Sequence, residues 1–288
     1  MNDHRLRRTP LATLFAKTSG KALPLPPRLA RLYGEFRMPV SRGRPLVFGN
    51  FVSTLDGVIS LKVPGHEGGG DISGFNEQDR MVMGLLRAVA DVVIVGSGTM
   101  EGDPQHMWTG AAICPELATD YARLRQALGK QKPALKVVTS MSGRVDLSLP
   151  GFGGGARHPG RVLILTSARG AKRLAGQPGA RHVDIQVLDA ARASPGAILG
   201  AVTRLAAPKR VLVEGGPLLV GSFYAEHLLD EQFLTLSPQL AGREQDDGRI
   251  GFVMGRQFAP QDPRWATLTD VRRGSSHLFL RYAFARTG

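Results

Sequence analysis

From residue 45 onward the chain alternates short apolar, β-leaning runs with stretches of helical periodicity, and this rhythm constrains the fold more than any other feature. Leu46–Val52 is the first such run and is followed by a turn at Asp56-Gly57. Met81, Val82, Leu85, Leu86 and Val89 then form the one-faced stripe of an amphipathic helix. Asp91–Val95, Lys136–Thr139, Arg161–Thr166, a stretch near His182–Leu188 and Arg210–Glu214 read as further strands. Helices are predicted over Pro115–Leu128, Ala168–Ala175 and Pro195–Ala206, and after Gly215-Gly216-Pro217. Gln232–Ser237 and His277–Phe284 are late alternating strands, the second expected to pair antiparallel at an edge. The pattern predicts an α/β architecture: a mostly parallel sheet, helices on both faces, and a late antiparallel edge. No composition break divides residues 45–288, so one domain is expected there.

The formal charge of +13 over 288 residues suggests a polyanion partner until it is located. Residues 1–44 hold ten Lys and Arg, from Arg5 to Arg44, against Asp3 and Glu35; they carry +8, leaving +5 on the rest. Pro24-Leu25-Pro26-Pro27 favours extended chain in this segment. Residues 1–44 are therefore read as a solvated, basic N-terminal extension, dispensable for folding up to about residue 40. Nucleic acid is not expected as a partner, because no aromatic interleaving or nucleic-acid-binding motif accompanies the charge. The apolar stretch Leu11–Ala16 is interrupted by Thr13, and it is shorter than the roughly 7–15 residues of an export core. No run reaches the roughly 18 apolar residues of a membrane span. The single cysteine, Cys114, excludes an internal disulfide and a cysteine-based zinc cluster. A cytoplasmic setting is expected.

Several catalytic motifs are missing: Gly-x-Ser-x-Gly, His-Glu-x-x-His, the Walker lysine loop and the Rossmann glycine triplet. The chemistry is therefore expected to arrive on a cofactor, with no metal. Two strand ends suit phosphates. Val95-Gly96-Ser97-Gly98-Thr99 allows close backbone approach and offers the Thr99 hydroxyl, although a plain glycine-rich turn explains that segment alone. At Glu214-Gly215-Gly216-Pro217-Leu218-Leu219, Pro217 suits a first helical turn. The amides of Gly216, Leu218 and Leu219 are then expected to face a ligand at the positive helix end. Glu214, a carboxylate ending a buried strand, needs a partner. Arg87 reads equally as a snorkelled surface residue, and Trp108, after His106, as either a stacking surface or a core anchor. Arg169 and Lys172 read as capping a short helix rather than holding a 2′-phosphate.

Taken together these pieces resemble the reductase domain of bacterial riboflavin biosynthesis, which has the dihydrofolate-reductase-like fold. Ser53-Thr54-Leu55-Asp56-Gly57 is similar to the family's Ser-Leu-Asp-Gly turn. Leu86-Arg87-Ala88 through Gly96-Ser97-Gly98-Thr99 to Asp103-Pro104 is similar to its Leu-Arg-Ala, Gly-x-Gly-Thr and Asp-Pro series. Glu214-Gly215-Gly216-Pro217, Leu229-Asp230-Glu231 and Pro238 to Gly242 continue it. The resemblance implies an NADPH-dependent pyrimidine reductase acting on a small molecule, and a homodimer. It places the Val52 backbone, Thr99, Asp103 and Ser140 on NADPH. Gly215, Gly216, Pro217, Leu218, Leu219, Val220, Gly221 and Ser222 would form the pyrophosphate cradle. Arg87 and Glu214 fall at substrate positions, and His106 and Trp108 are expected to line the pocket. In the family, hydride reduces the ribosyl carbon of a phosphoribosylamino-pyrimidine to a ribityl arm; no general acid is identified here.

Two departures from the family bear on the substrate. Gly69-Gly70-Asp71-Ile72-Ser73 stands where the family has Ser-x-Trp-Ile-Thr. Gln105-His106-Met107-Trp108-Thr109 lacks the arginine that holds the substrate phosphate, and no Lys or Arg follows until Arg123. A dihydrofolate-type or other small-molecule reductase on the same fold therefore stays open at this point, as does a non-catalytic nucleotide binder.

Overall fold

A computed structural model describes residues 9–41, 43–153, 160–189, 194–244 and 248–285. Arg5, Arg7, Arg8 and Arg42 of the basic segment, and Gly154 and Gly155 of the glycine loop, lie outside the described residues. The chain opens with β1 (Ala12–Ala16), β2 (Lys21–Ala22), α1 (Pro27–Tyr33) and β3 (Arg37–Met38). There follow β4 (Leu46–Ser53), β5 (Val58–Ser60), α2 (Gly69–Ser73), α3 (Glu77–Val89), β6 (Val92–Gly96) and α4 (Ser97–Gly102). Next come α5 (Gly110–Ile113), α6 (Ala118–Ala127), β7 (Leu135–Thr139), β8 (Val162–Thr166), α7 (Ala168–Ala175) and β9 (Asp184–Val187). The last elements are α8 (Pro195–Ala206), β10 (Arg210–Val213), α9 (Pro217–Ala225), β11 (Glu231–Leu236), β12 (Ile250–Gly251), β13 (Thr267–Gly274) and β14 (His277–Ala283).

Ten strands form one sheet in the order β1-β13-β14-β11-β4-β10-β6-β7-β8-β9. From β11 to β9 every neighbour is parallel, and from β11 outward to β1 every neighbour is antiparallel. The inner parallel strands β4, β10, β6, β7 and β8 are largely buried on both sides, which is why they read as apolar runs, whereas β9 at the edge is half-exposed. Val93 and Val95 of β6 enter the core under α1, α3, α6 and α7, while Val92 and Ile94 face α8 and α9. The antiparallel side is wider than expected: β14 is interior, with β13 and then β1 outside it. The predicted helix over Pro115–Leu128 is divided, Pro115–Leu117 forming a 3-10 turn ahead of α6. Among the described residues no helix is long and apolar enough to cross a membrane.

For residues 9–41 the reading of this segment as solvated is corrected by the packing. Leu29, Leu32, Tyr33, Phe36 and Met38 are buried in the same core as α3. β1 completes the sheet against β13. Two buried arginines of the antiparallel strands satisfy the carbonyls that this docked segment carries inward. Arg272, itself paired with Asp270, donates to the carbonyls of Tyr33 and Glu35 and stacks over the Tyr33 ring. Arg281, paired with Glu231, donates to the Arg37 carbonyl at 2.7 Å. The periodicity argument missed this because α1 is only two turns long and its strands are short, so charge dominated the reading.

Gly215 shows how tightly the sheet centre is built. A Cβ there would lie 2.3 Å from both the amide nitrogen of Gly96 and the Cα of Val95. The glycine thus lets the chain leave β10 against the end of β6.

We expect Leu32→Ala to cost about 2–5 kcal/mol in denaturant unfolding, the usual range for emptying a buried leucine site. Removal of residues 1–38 should leave a chain without a cooperative transition. A truncated chain unfolding at the wild-type midpoint would contradict the docked arm.

Candidate active site

Four parallel strands end beneath a cavity of about 700 Å³. Asn50, Phe51 and Val52 reach it from β4, Gly96 from β6 and Thr139 from β7, and Glu214 reaches it directly after β10. This is where the chain turns back across its sheet, β10 being inserted between β4 and β6. Open α/β sheets leave a crevice at such a carboxyl-end crossover. One wall is α3. Its Asp79, Met83 and Arg87, each four residues apart, line the cavity, while Met81, Val82, Leu85, Leu86 and Val89 face the core.

A chain of polar contacts crosses the cavity floor. Glu214 accepts from Arg87 Nε at 2.8 and 3.1 Å, both side chains being almost fully buried. Asn50 Nδ2 donates to Glu214 Oε1 at 3.4 Å. Arg87 Nη1 donates to His106 Nε2 at 2.6 Å, and His106 Nδ1 lies 2.9 Å from Asp103 Oδ2. A guanidinium carries only donors, so His106 Nε2 is the acceptor and Nδ1 bears the proton given to Asp103. Burial and the adjacent Arg87 guanidinium hold the His106 pKa below its ordinary value, which keeps the ring neutral. Trp108 is a core anchor at the margin of the cavity, its ring 4.5 Å from that of His106. The Lys136 ammonium lies 5.5 Å from the Trp108 ring centroid and donates to the Gly151 carbonyl at 2.7 Å. Burial lowers the Lys136 pKa to about 7.

The glycine-rich strand end after Val95 is not a loop. Ser97-Gly98-Thr99 is the first turn of α4, and the Thr99 hydroxyl accepts the Gly216 N–H at 2.9 Å. Two of the three amides expected to face a ligand are thus already engaged: Gly216 on Thr99, and Leu219 on the Gly216 carbonyl. Cβ atoms on Gly96 and Gly98 would meet nothing within 4 Å, so the backbone of this wall lies open to the cavity. Gly216, at φ +34, is the N-cap residue immediately before α9.

The structure brings Arg87, Glu214, His106, Trp108, Val52, Thr99, Asp103, Gly216, Pro217, Leu218, Leu219 and Ser222 to one cavity. Four expected cofactor residues lie off its lining. Ser140 is buried one residue beyond Thr139, and its hydroxyl has no hydrogen-bond partner. Gly215 faces the end of β6, Val220 is in the core, and Gly221 packs on Val253 and Met254. The lining over 215–222 is therefore discontinuous: Gly215 precedes α9 and lies against β6, and the Val220–Gly221 face of α9 turns away from the cavity. Arg87 is not a snorkelled surface residue; it is buried. Sequence reasoning passed over Asn50, Asp79 and Lys136. For Asp79 the signal was present as the second, four-residue spacing Asp79–Met83–Arg87 on α3.

Residues 45–253 match the model of the RibD C-terminal domain. The chain belongs to that family. One relative is the 2,5-diamino-6-ribosylamino-4(3H)-pyrimidinone 5′-phosphate reductase of Archaeoglobus fulgidus. It is 29% identical over 203 residues, which are 69% of this chain and 83% of that protein. Among solved structures, Acinetobacter baumannii RibD superposes with a TM-score of 0.64 at 20% identity over 85% of this chain, which spans 59% of that protein's length. A pyrimidine reductase-like protein of Corynebacterium diphtheriae superposes with a TM-score of 0.63 at 18% identity, over 84% of this chain and 93% of its own. These two structures establish the likeness of fold. The turn and loop motifs of the family also meet in space: Asp56 Oδ2 accepts the Gly242 N–H at 2.8 Å, tying the β4–β5 turn to the segment after Pro238.

The neutral state of His106 has a consequence for stability. A histidine whose pKa is depressed on folding contributes stability that is fully present above its unfolded value near 6.5 and lost as pH falls through its folded value. We expect His106→Gln to narrow the loss of melting temperature between pH 7 and pH 5, read as the difference between wild type and variant. An unchanged difference across that range would show that His106 titrates normally.

Proposed function

We propose that this protein is an NADPH-dependent reductase of a phosphoribosylamino-pyrimidine, converting its ribosyl arm to a ribityl arm. The observation that carries the reading is the buried Glu214–Arg87 pair set in the cavity floor. It presents a carboxylate edge to ring N–H groups and a guanidinium to ring carbonyls. The pyrimidine-reductase relative and the RibD membership support the same substrate class.

The residues present fit a dinucleotide. Gly96 and Gly98 leave backbone that a side chain would otherwise cover, and α9 turns the positive end of its dipole to the cavity, its Gly216 N–H already held by the Thr99 hydroxyl. On this reading Val52, Thr99, Asp103 and the Gly216–Leu219 turn hold the cofactor, with Ser222 one helical turn along. Bound reduced nicotinamide supplies the hydride. The remaining work falls to the chain itself: Arg87 and Glu214 orient the pyrimidine, His106 and Asp103 fix the guanidinium, and the apolar walls at Phe51, Met83 and Leu219 exclude water. Holding the reacting carbons in near-attack geometry is the main source of acceleration in such a site.

Among the described residues lining the cavity the cations are Arg87 and Lys62, and on this reading Arg87 is taken up by the pyrimidine ring. We therefore expect removal of the substrate phosphate to lower kcat/KM by less than about tenfold, the equivalent of one charge-assisted contact near 1.5 kcal/mol. A dephosphorylated substrate that is inert while the phosphorylated one turns over would contradict this.

The direct test is loss of NADPH absorbance with phosphoribosylamino-pyrimidine and dihydropterin substrates. Glu214→Gln should reduce turnover of the pyrimidine far more than it weakens NADPH binding. Gly216→Val, which forces a β-branched side chain into positive φ at the helix start, should weaken NADPH binding. Turnover of the dihydropterin alone would replace this reading, and absence of any NADPH binding would end it.

A further inference from the structure

Asp79 is a buried carboxyl group outside the Glu214–Arg87–His106–Asp103 contacts. It lies in the first turn of α3, on the cavity-lining stripe with Met83 and Arg87, and is 5% exposed. An acidic residue there commonly caps the helix, but Asn76 already performs that role: its side chain accepts the N–H groups of both Gln78 and Asp79. The Asp79 carboxyl is therefore not needed at the helix start. Its hydrogen-bond partner is the Thr235 hydroxyl on β11. The charged and titratable groups around it come from three elements: Arg87 on α3, Glu214 after β10, and His277 on β14. His277 is itself engaged, its ring nitrogens contacting the Asn76 side-chain amide and the Ser73 carbonyl.

Two carboxyl groups thus share one cavity under different conditions. Glu214 has the Arg87 guanidinium against both its oxygens. Asp79 has no such contact, and desolvation outweighs the influence of Thr235, His277 and Arg87, raising its pKa to about 6. Neighbouring titratable groups whose environments separate them in this way commonly divide acid and anchoring roles.

We propose that Asp79 is the proton donor of the reduction, delivering its carboxyl proton to the substrate nitrogen as hydride reaches the adjoining sugar carbon. This rests on the reading of the site as a pyrimidine reductase. In the open-chain form of the substrate the sugar carbon is joined to the exocyclic nitrogen by a C=N double bond. Hydride from reduced nicotinamide adds to the carbon, the C=N π pair becomes the new N–H bond with the Asp79 proton, and Asp79 is left as carboxylate. The nicotinamide is oxidised by two electrons, the carbon is reduced, and solvent reprotonates Asp79 after product leaves.

The test is Asp79→Asn, which preserves size and a partner for Thr235, compared with wild type from pH 5 to 8.5. A required acid gives wild-type kcat/KM an alkaline limb set by the free enzyme, starting near pH 6. The variant should lack that limb, lose at least about a hundredfold in kcat/KM at pH 6, the low end of general-acid effects, and bind NADPH within about threefold of wild type. A second readout needs no turnover. The carboxyl titrates near 3.8 unfolded and about 6 folded, so the cost of burying its charge is absent below pH 4 and complete above about pH 6. Asp79→Asn should therefore melt above wild type at pH 7.5, with the gap closing toward pH 4. A variant that keeps the alkaline limb, retains kcat/KM within about threefold at pH 6, or melts below wild type at pH 7.5 overturns the assignment. A wild-type protein that binds NADPH but turns over no phosphoribosylamino-pyrimidine overturns the parent reading instead, and this one with it.

Discussion

The buried contact between Arg87 and Glu214 organises the site. Two opposite charges, one on the last turn of α3 and one at the end of β10, sit together with almost no exposure to water. Such a pair is a poor source of stability, because desolvation offsets much of the Coulombic gain; removing one partner, by contrast, typically costs about 3–5 kcal/mol. Its value lies in specification. With helix and strand end locked together, Asn50 is drawn to the carboxylate, while His106 and Asp103 are drawn to the guanidinium. A row of fixed donors and acceptors across an otherwise apolar cavity follows from that one contact.

The scaffold makes the contact possible by bringing strand ends unusually close. Gly215 carries no side chain because the backbone of Val95 and Gly96 occupies the space where one would stand. The same approach places Thr99 within a hydrogen bond of Gly216, so the two glycine-bearing strand ends form one continuous wall. At the antiparallel end of the sheet, Arg272 and Arg281 hold the N-terminal segment against β13 and β14 through its carbonyls. Charge that looks like a solvated tail in composition is in part countered by Arg44 on Asp230, Arg37 on Glu35 and Arg28 near Asp120.

The parallel half of the fold was legible because burial on both faces forces unbroken apolar runs such as Val92–Val95, and helices such as Ala168–Ala175 and Pro195–Ala206 carry clear boundaries. The N-terminal half-turns were not, since short elements depend on tertiary packing that no local pattern records. At the site, Arg87, Glu214 and Thr99 were recoverable from spacing and resemblance. Gly215 was recognised as special for the wrong neighbour: its constraint is another strand, which only the topology brings near. Asp79 was hidden because an acid in a first helical turn ordinarily needs no further explanation.

On the function proposed, this cavity transfers a hydride to the sugar carbon beside the pyrimidine nitrogen. The most direct test is to supply NADPH dideuterated at nicotinamide C4 with a phosphoribosylamino-pyrimidine, and to locate the label in the product by NMR. One deuterium is expected on the ribityl carbon bonded to nitrogen. A reduced product without deuterium, or with deuterium on the pyrimidine ring, would contradict it.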